Sequence, residues 1–300
     1  MFEWSVRNMV PIQPYTKDEN VHSSQGPTLM DISILLPTRG RGEALMNSIQ
    51  SLYDLAEDPA TIEFLFGMDN DDVVGMENML NTVCPWIEQN SINHKIVIFE
   101  RYGYNNLHRY VNGLAEHSKG AWLFFWNDDA VMRTPAWDAR IREKTGEFKL
   151  LSVHTHNEHP YSIFPILPRK WFEILGHISQ HSSNDAYVSQ LAYYLDIFER
   201  IEVYCDHNRF DVSGINNDAT YQQRKIMEGD PSQAGDLNHP DQVKLRTADA
   251  AALASWMQEQ GLDLTFFINA WNGTQDPWVK MRANDVNNQV DARARRVNTQ

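Results

Sequence analysis

The chain has 300 residues, 42% hydrophobic and 11% aromatic, a composition that excludes a disordered chain. Its 26 basic and 40 acidic residues give a formal charge of −14, which excludes the basic footprint needed to wrap nucleic acid or dock on an anionic membrane. Two cysteines, Cys84 and Cys205, are too few for a disulfide framework or a thiolate metal cluster and point to a reducing cytoplasm.

Residues 1–30, punctuated by Pro11, Pro14, Gly26 and Pro27, read as an irregular N-terminal extension with no basic-then-apolar signal pattern. Asp31 to Leu36 is a β-branched apolar run and predicts a buried strand. Apolar residues at 44, 45, 49, 52 and 55 predict a helix over 43–55. A second strand is expected over 62–68, a helix over 76–86 with a stop near Cys84-Pro85, and a third strand over 95–99. A helix over 107–116 and a fourth strand over 121–126 complete this half. Such alternation implies βαβ units and a mostly parallel sheet. Ligands of such sheets bind outside the carboxyl ends of the strands, so the polar clusters at 37–41, 69–72 and 127–129 are expected to converge.

The second half is less regular. Strands are expected over 148–153, 162–167 and 200–204, and helices over 168–175, 185–195, 219–228 and 241–260. The polar tail after 285 is expected to fray. No apolar run approaches the roughly 18 residues of a membrane span. The Asn272-Gly273-Thr274 sequon is therefore expected to stay unglycosylated.

Pro37-Thr38-Arg39-Gly40-Arg41 ends a strand and opens a helix. Backbone N–H groups, the helix dipole and bidentate arginine suit a phosphate there, and a solvated strand-to-helix turn is the alternative. Asp69-Asn70-Asp71-Asp72 packs three carboxylates into one turn, which repel unless they cap a helix, bind a metal or accept hydrogen bonds from a ligand. Asp71 or Asp72 suits a helix cap, and Asp69 at the strand end suits a nucleobase or sugar. Asn127-Asp128-Asp129 follows an aromatic strand, where adjacent buried carboxylates demand a counter-charge. Hard oxygen ligands suit Mg²⁺ or Mn²⁺, and an exposed turn is the alternative. His154 and His156 would share one strand face, a pattern that suits zinc, but no fourth ligand is evident; an acceptor-site loop or surface histidines remain the other readings. Trp126, Trp137 and Trp171 are read as core in preference to sugar platforms.

These motifs, in this order, with Asn105, Asn106 and Asn112 on the helix before Gly120-Ala121-Trp122, resemble GT-A nucleotide-sugar glycosyltransferases, most closely the inverting family 2 group. Ile163–Arg169, Trp171–His177, Ser183-Asn184-Asp185, His207 and Asp218–Tyr221 are similar to the acceptor half of glycosyltransferases found in bacteriophage genomes. The resemblance covers roughly residues 31–225 and implies an α/β fold, with a GT-A (Rossmann-like) mostly parallel sheet flanked by helices and a helical C-terminal addition over 226–300. It divides residues 31–225 into a nucleotide-sugar half, 31–132, and an acceptor half, 133–225.

The resemblance implies donor contacts at Pro37, Thr38, Arg39, Arg41, Asp69, Asp71, Asn106, Asn127 and Asp128. It implies a divalent metal, Mn²⁺ or Mg²⁺, on Asp129 and Asp128 with His207, and Asp185 as general base. A UDP-sugar is the favoured donor. The acceptor is an unidentified hydroxyl compound, with a glycan or small molecule favoured over modified nucleic acid. The location expected is a cytoplasm, a host's if the origin is viral. Two positions depart from the family pattern: Asn127 replaces the first acid of a D-x-D motif, and Asn184 the acid before the base. Direct attack by the acceptor would invert the anomeric centre, while a retaining carboxylate nucleophile stays open. A nucleotidyltransferase would also use a parallel sheet and acidic ligands, but this first loop has no lysine. A sugar- or nucleotide-binding module without activity is the non-enzymatic alternative.

Overall fold

The structure, a computed structural model, describes residues 9–11, 30–155, 159–208, 219–229 and 235–285. Among these, nine strands form one sheet: β1 (Met9–Pro11), β2 (Ile32–Thr38), β3 (Ile62–Asp69), β4 (Asn93–Phe99), β5 (Trp122–Phe125), β6 (Ala130–Met132), β7 (Leu150–Thr155), β8 (Pro165–Pro168) and β9 (Phe198–His207). Their spatial order is β1-β4-β3-β2-β5-β8-β7-β9-β6. The block from β1 to β5 is parallel throughout, whereas β8 joins both β5 and β7 antiparallel. The architecture is therefore a mostly parallel sheet between layers of helices. It also runs without a break across the expected boundary at 132/133.

The period of two decides which side each strand residue faces. Ile32, Ile34, Leu36, Phe64, Phe66 and Met68 point into one core, where Leu45, Ile49 and Leu52 of helix α1 (Gly42–Asp54) meet them. Leu35, Leu65, Val97 and Phe99 point into the other, against Tyr110, Leu114 and Ala115 of α4 (Leu107–His117). Strands covered on both faces read as continuous apolar runs, which is why β2 and β3 were plain in the sequence.

The expected helix stop at Cys84-Pro85 does not occur. Helix continues from α2 (Val73–Asn78) through a π-helical turn at Met79–Val83 into α3 (Cys84–Gln89). The wide turn re-phases the hydrogen bonds so that Pro85 falls in the first turn of α3, where its missing N–H costs little. Other elements agree within a few residues: α6 (Arg169–Leu175), α7 (Asn184–Tyr194), α8 (Ala219–Glu228) and α9 (Pro240–Glu259). The strand expected from Ser162 begins only at Pro165. The edge strand β1, the three-residue β6, α5 (Trp137–Arg142) and α10 (Thr265–Trp271) were not foreseen. Most of the N-terminal extension, His156 and the tail after 285 lie outside the described residues.

Trp126, Trp137 and Trp171 are all buried in the core, so none is a sugar platform. The helix expected over 241–260 buries Ala250, Leu253, Ala254 and Met257 against α6 and α7. Gly120 has no room for a side chain: a Cβ would sit 2.5 Å from the Ser33 backbone nitrogen. No described helix is long and apolar enough to cross a membrane.

Candidate functional site

The chain passes β2, β3 and β4 in one direction, then returns to lay β5 on the other side of β2. Loops leaving β2 and β5 therefore diverge, and the crevice between their carboxyl ends is where an open α/β sheet receives its ligand. All three polar clusters meet there. Thr38 Oγ1 donates to Asp128 Oδ2 at 2.8 Å. Arg41 Nη1 donates to Asp128 Oδ1 at 2.9 Å and to Asp129 Oδ2 at 3.3 Å. Arg39 Nη1 donates to Asp69 Oδ2 at 2.8 Å and Asp71 Oδ1 at 2.5 Å.

Local geometry explains each placement. Gly40 takes a left-handed φ of +67°, and its N–H donates to Asp72 Oδ2 at 2.9 Å. Asp72 is the N-cap of α2, its other oxygen accepting from the Gly75 N–H at 3.0 Å. It therefore ties the first loop to the second, while Asp69 and Asp71 face Arg39. Asp69 also accepts from the buried hydroxyl of Tyr110, which itself accepts N–H bonds from Tyr102 and Gly103. Burial, then the hydrogen bond to Asp69 and its charge, push the Tyr110 hydroxyl far above its ordinary pKa. Tyr110 was not singled out from sequence, because its spacing marks only the buried face of α4. Ser48 was missed too; it donates to the Asn127 carbonyl at 3.0 Å.

Asp128 and Asp129 are 5% and 7% exposed, so the exposed-turn alternative is wrong. Burial pushes the Asp128 carboxyl up to about 6, with Arg41 and Thr38 opposing and Asp129 adding to the rise. Burial also pushes Asp129 upward, but His207 and Arg41 outweigh it and hold that carboxyl below the ordinary aspartate value. His207 Nε2 lies 3.3 Å from Asp129 Oδ1 and 3.5 Å from Asn127 Nδ2. The β6–β9 register pairs Ala130 with His207 and so fixes this contact. A raised carboxyl pKa favours the folded state below the unfolded value of about 3.9, and that contribution is lost as pH rises through about 6. Asp128→Asn is expected to flatten this part of the curve of melting temperature against pH; an unchanged slope would contradict the assignment.

Asp128, Asp129 and His207 have the donor chemistry of a divalent-metal shell. Their arrangement does not fit one. Asp128 divides its oxygens between Thr38 and Arg41, Asp129 Oδ2 accepts from Arg41, and the buried Asp129 Oδ1, 3.3 Å from His207 Nε2, makes no hydrogen bond among the described residues; the Arg41 guanidinium stands as the counter-charge. Among the described residues no three His, Cys, Asp or Glu side chains gather as a metal-holding group. His154 instead stacks on Tyr204 with ring centroids 4.7 Å apart.

Asn106 and Asp185 stand apart from this cluster in their bonding. Asn106 Nδ2 donates to the Tyr102 carbonyl at 3.0 Å, beside a separate cavity. Ser183 takes the N-cap position of α7, so Asp185 is not the cap; it is half-buried in the first turn. No hydrogen bond or ion pair engages its carboxylate among the described residues.

No protein-family model and no curated protein sequence matches the chain. Solved structures do. The mannosyltransferase PcManGT from Pyrobaculum calidifontis, in complex with GDP-Man and Mn²⁺, is similar with a TM-score of 0.50 and 12% identity, covering 85% of this chain and 86% of its own. TarS 1-349 of S. aureus, in complex with UDP, gives 0.46 and 12% over 90% and 92%. A likeness at such low identity concerns the backbone, and with the strand order above it assigns the chain a GT-A, Rossmann-like fold.

Proposed function

We propose that the chain is a glycosyltransferase that moves a sugar from a nucleotide-diphosphate sugar to an acceptor hydroxyl. The observation that carries this reading is the convergence of Thr38, Arg39 and Arg41 with Asp69, Asp71, Asp128 and Asp129 in the crevice of a GT-A sheet. The donor lies across that crevice, bordered by Pro37 and Asn127. Asp69, held by Tyr110, accepts from the base or ribose. Arg39 and Arg41 present positive charge to the diphosphate, stabilising it as it departs.

Asp185 takes the proton of the acceptor hydroxyl. The freed oxygen attacks the anomeric carbon, the bond to the diphosphate breaks with its electron pair on the phosphate oxygen, and the centre inverts. An uncommitted carboxylate in the first turn of α7 supports this role. Arg39 and Arg41 are each shared by two carboxylates, so facing the diphosphate requires that donor binding release some of those contacts.

The test is a panel of UDP-, GDP-, TDP- and CMP-sugars, UDP-sugars first, read by thermal shift with and without Mn²⁺. One donor is expected to raise the melting temperature by mass action. A shift lost in Arg39→Gln would locate it at the strand ends. No shift with any donor would overturn the reading, and pyrophosphate release from a triphosphate and a sugar phosphate would replace it with nucleotidyl transfer. A shift seen only with Mn²⁺ would restore a metal to Asp128, Asp129 and His207.

A further inference from the structure

A cavity of about 510 Å³ lies outside the carboxylate cluster, walled by the start of α4, the loop 177–182 and α9. Its volume falls within the range of small-molecule sites. Apart from Leu245 its lining is polar, built of amides, hydroxyls, histidines and one arginine, with no carboxylate among the lining residues described.

Two buried polar atoms at its wall lack partners. Gln242 is 4% exposed, and its Oε1 makes no hydrogen bond among the described residues; the same holds for the buried Nδ1 of His108. Leaving such an atom without a partner is unfavourable. The amides and hydroxyls that line the cavity suit a ligand carrying several hydroxyls.

Among the described residues one cation, Arg109, stands at the cavity. The Arg109 guanidinium stacks 4.6 Å over the Tyr102 ring, and no described carboxylate pairs with it. Burial, with His181, Arg109 and His177 adding, pushes the His108 ring down to about 4. Asp249, which is not among the lining residues, holds two of them, at 2.9 Å from His177 Nε2 and 3.2 Å from Gln180 Nε2.

Its position links it to both parts of the proposed reaction. The loop 177–182 runs directly into α7, which carries Asp185, and Ser182 donates to the Asn105 carbonyl. On the other side, Asn106 bonds to Tyr102, whose N–H donates to Tyr110, and Tyr110 donates to Asp69.

We infer that this cavity is the acceptor pocket and takes a polyhydroxylated anion, the class of sugar phosphates and sugar acids. The acceptor role rests on the transfer reading above; the ligand class rests on the cavity alone. The intact chain, without donor, is titrated with glucose 6-phosphate and with glucuronate, with glucose and inorganic phosphate as controls. Saturable binding is expected for the charged sugars, at least tenfold tighter than for either control. Arg109→Gln, an exposed substitution, should weaken it about tenfold or more and leave nucleotide-sugar binding unchanged. Gln242→Leu should weaken it without affecting inorganic phosphate.

Absence of charged-sugar binding, binding indifferent to Arg109→Gln, or inorganic phosphate bound equally well would each overturn the inference. If a nucleotide sugar binds in those cases, the transfer reading stands without this pocket. If charged sugars bind through Arg109 but no nucleotide sugar binds anywhere, the ligand site stands, and the transfer reading falls with its acceptor role.

Discussion

Asp185→Asn is expected to lower the transfer rate about 10²- to 10⁴-fold, the usual contribution of a positioned general base, while leaving nucleotide-sugar affinity unchanged. Asparagine keeps the shape and removes only the ability to take the acceptor proton. The side chain engages no described partner, so the fold should hardly notice the change. Loss of one negative charge from the first turn of α7 costs only about 0.3–1 kcal/mol through the helix dipole. Rate and stability therefore separate cleanly. Single-turnover transfer, measured beside a melting curve and a donor titration, reads all three. A near-normal rate would remove Asp185 from the mechanism, and a lost donor affinity would make it a binding residue instead.

Asp138→Ala is expected to destabilise the fold by about 3 kcal/mol or more, the largest effect foreseen outside the site. Asp138 is fully buried at the start of α5 and accepts from the Glu57 N–H at 2.7 Å, the Asp58 N–H at 2.9 Å and Arg142 Nη1 at 2.7 Å. Alanine strands two backbone donors at once and leaves Arg142 with only Glu57 and Thr61. Burial alone would push this carboxyl up, but the two N–H donors and Arg142 win and hold it below the usual aspartate value. A depressed carboxyl pKa gives stability that is present above the unfolded value of about 3.9 and lost as pH falls through the folded one. The wild-type chain should thus lose stability on acidification below about pH 4, and the variant should lose less. Denaturant midpoints at neutral and acid pH, at constant slope, check both statements; equal midpoints at neutral pH would refute the first.

What the sequence made legible follows from physics that is local. Buried parallel strands are apolar along their whole length, so β2, β3 and β5 could be placed, and with them the loops whose ends meet. Convergence of Thr38, Arg39 and Arg41 on the later aspartates needed only the strand-end rule. Tyr110 behind Asp69, and Arg41 between two carboxylates, depend on the register of distant segments, which no window of sequence contains. Pro85 misled because a proline normally ends a helix, and only the π turn before it removes the conflict. The three residues of β6 are too few to show a period at all.

Strand β6 has a consequence for the order in which the molecule comes together. Asp129 is followed at once by β6, and among the described residues β6 pairs only with β9, which ends in His207. Ribosomes add about 5–20 residues per second, so several seconds separate the appearance of the aspartate from that of its histidine. During that interval the first half can lay down β2 to β5, yet its acidic crevice lacks one wall. A fragment ending near residue 132 would therefore carry most of the motifs and still be an incomplete receptor. The crevice gains this wall only after β9, the last of the described strands, has emerged and given β6 its partner at the edge of the sheet.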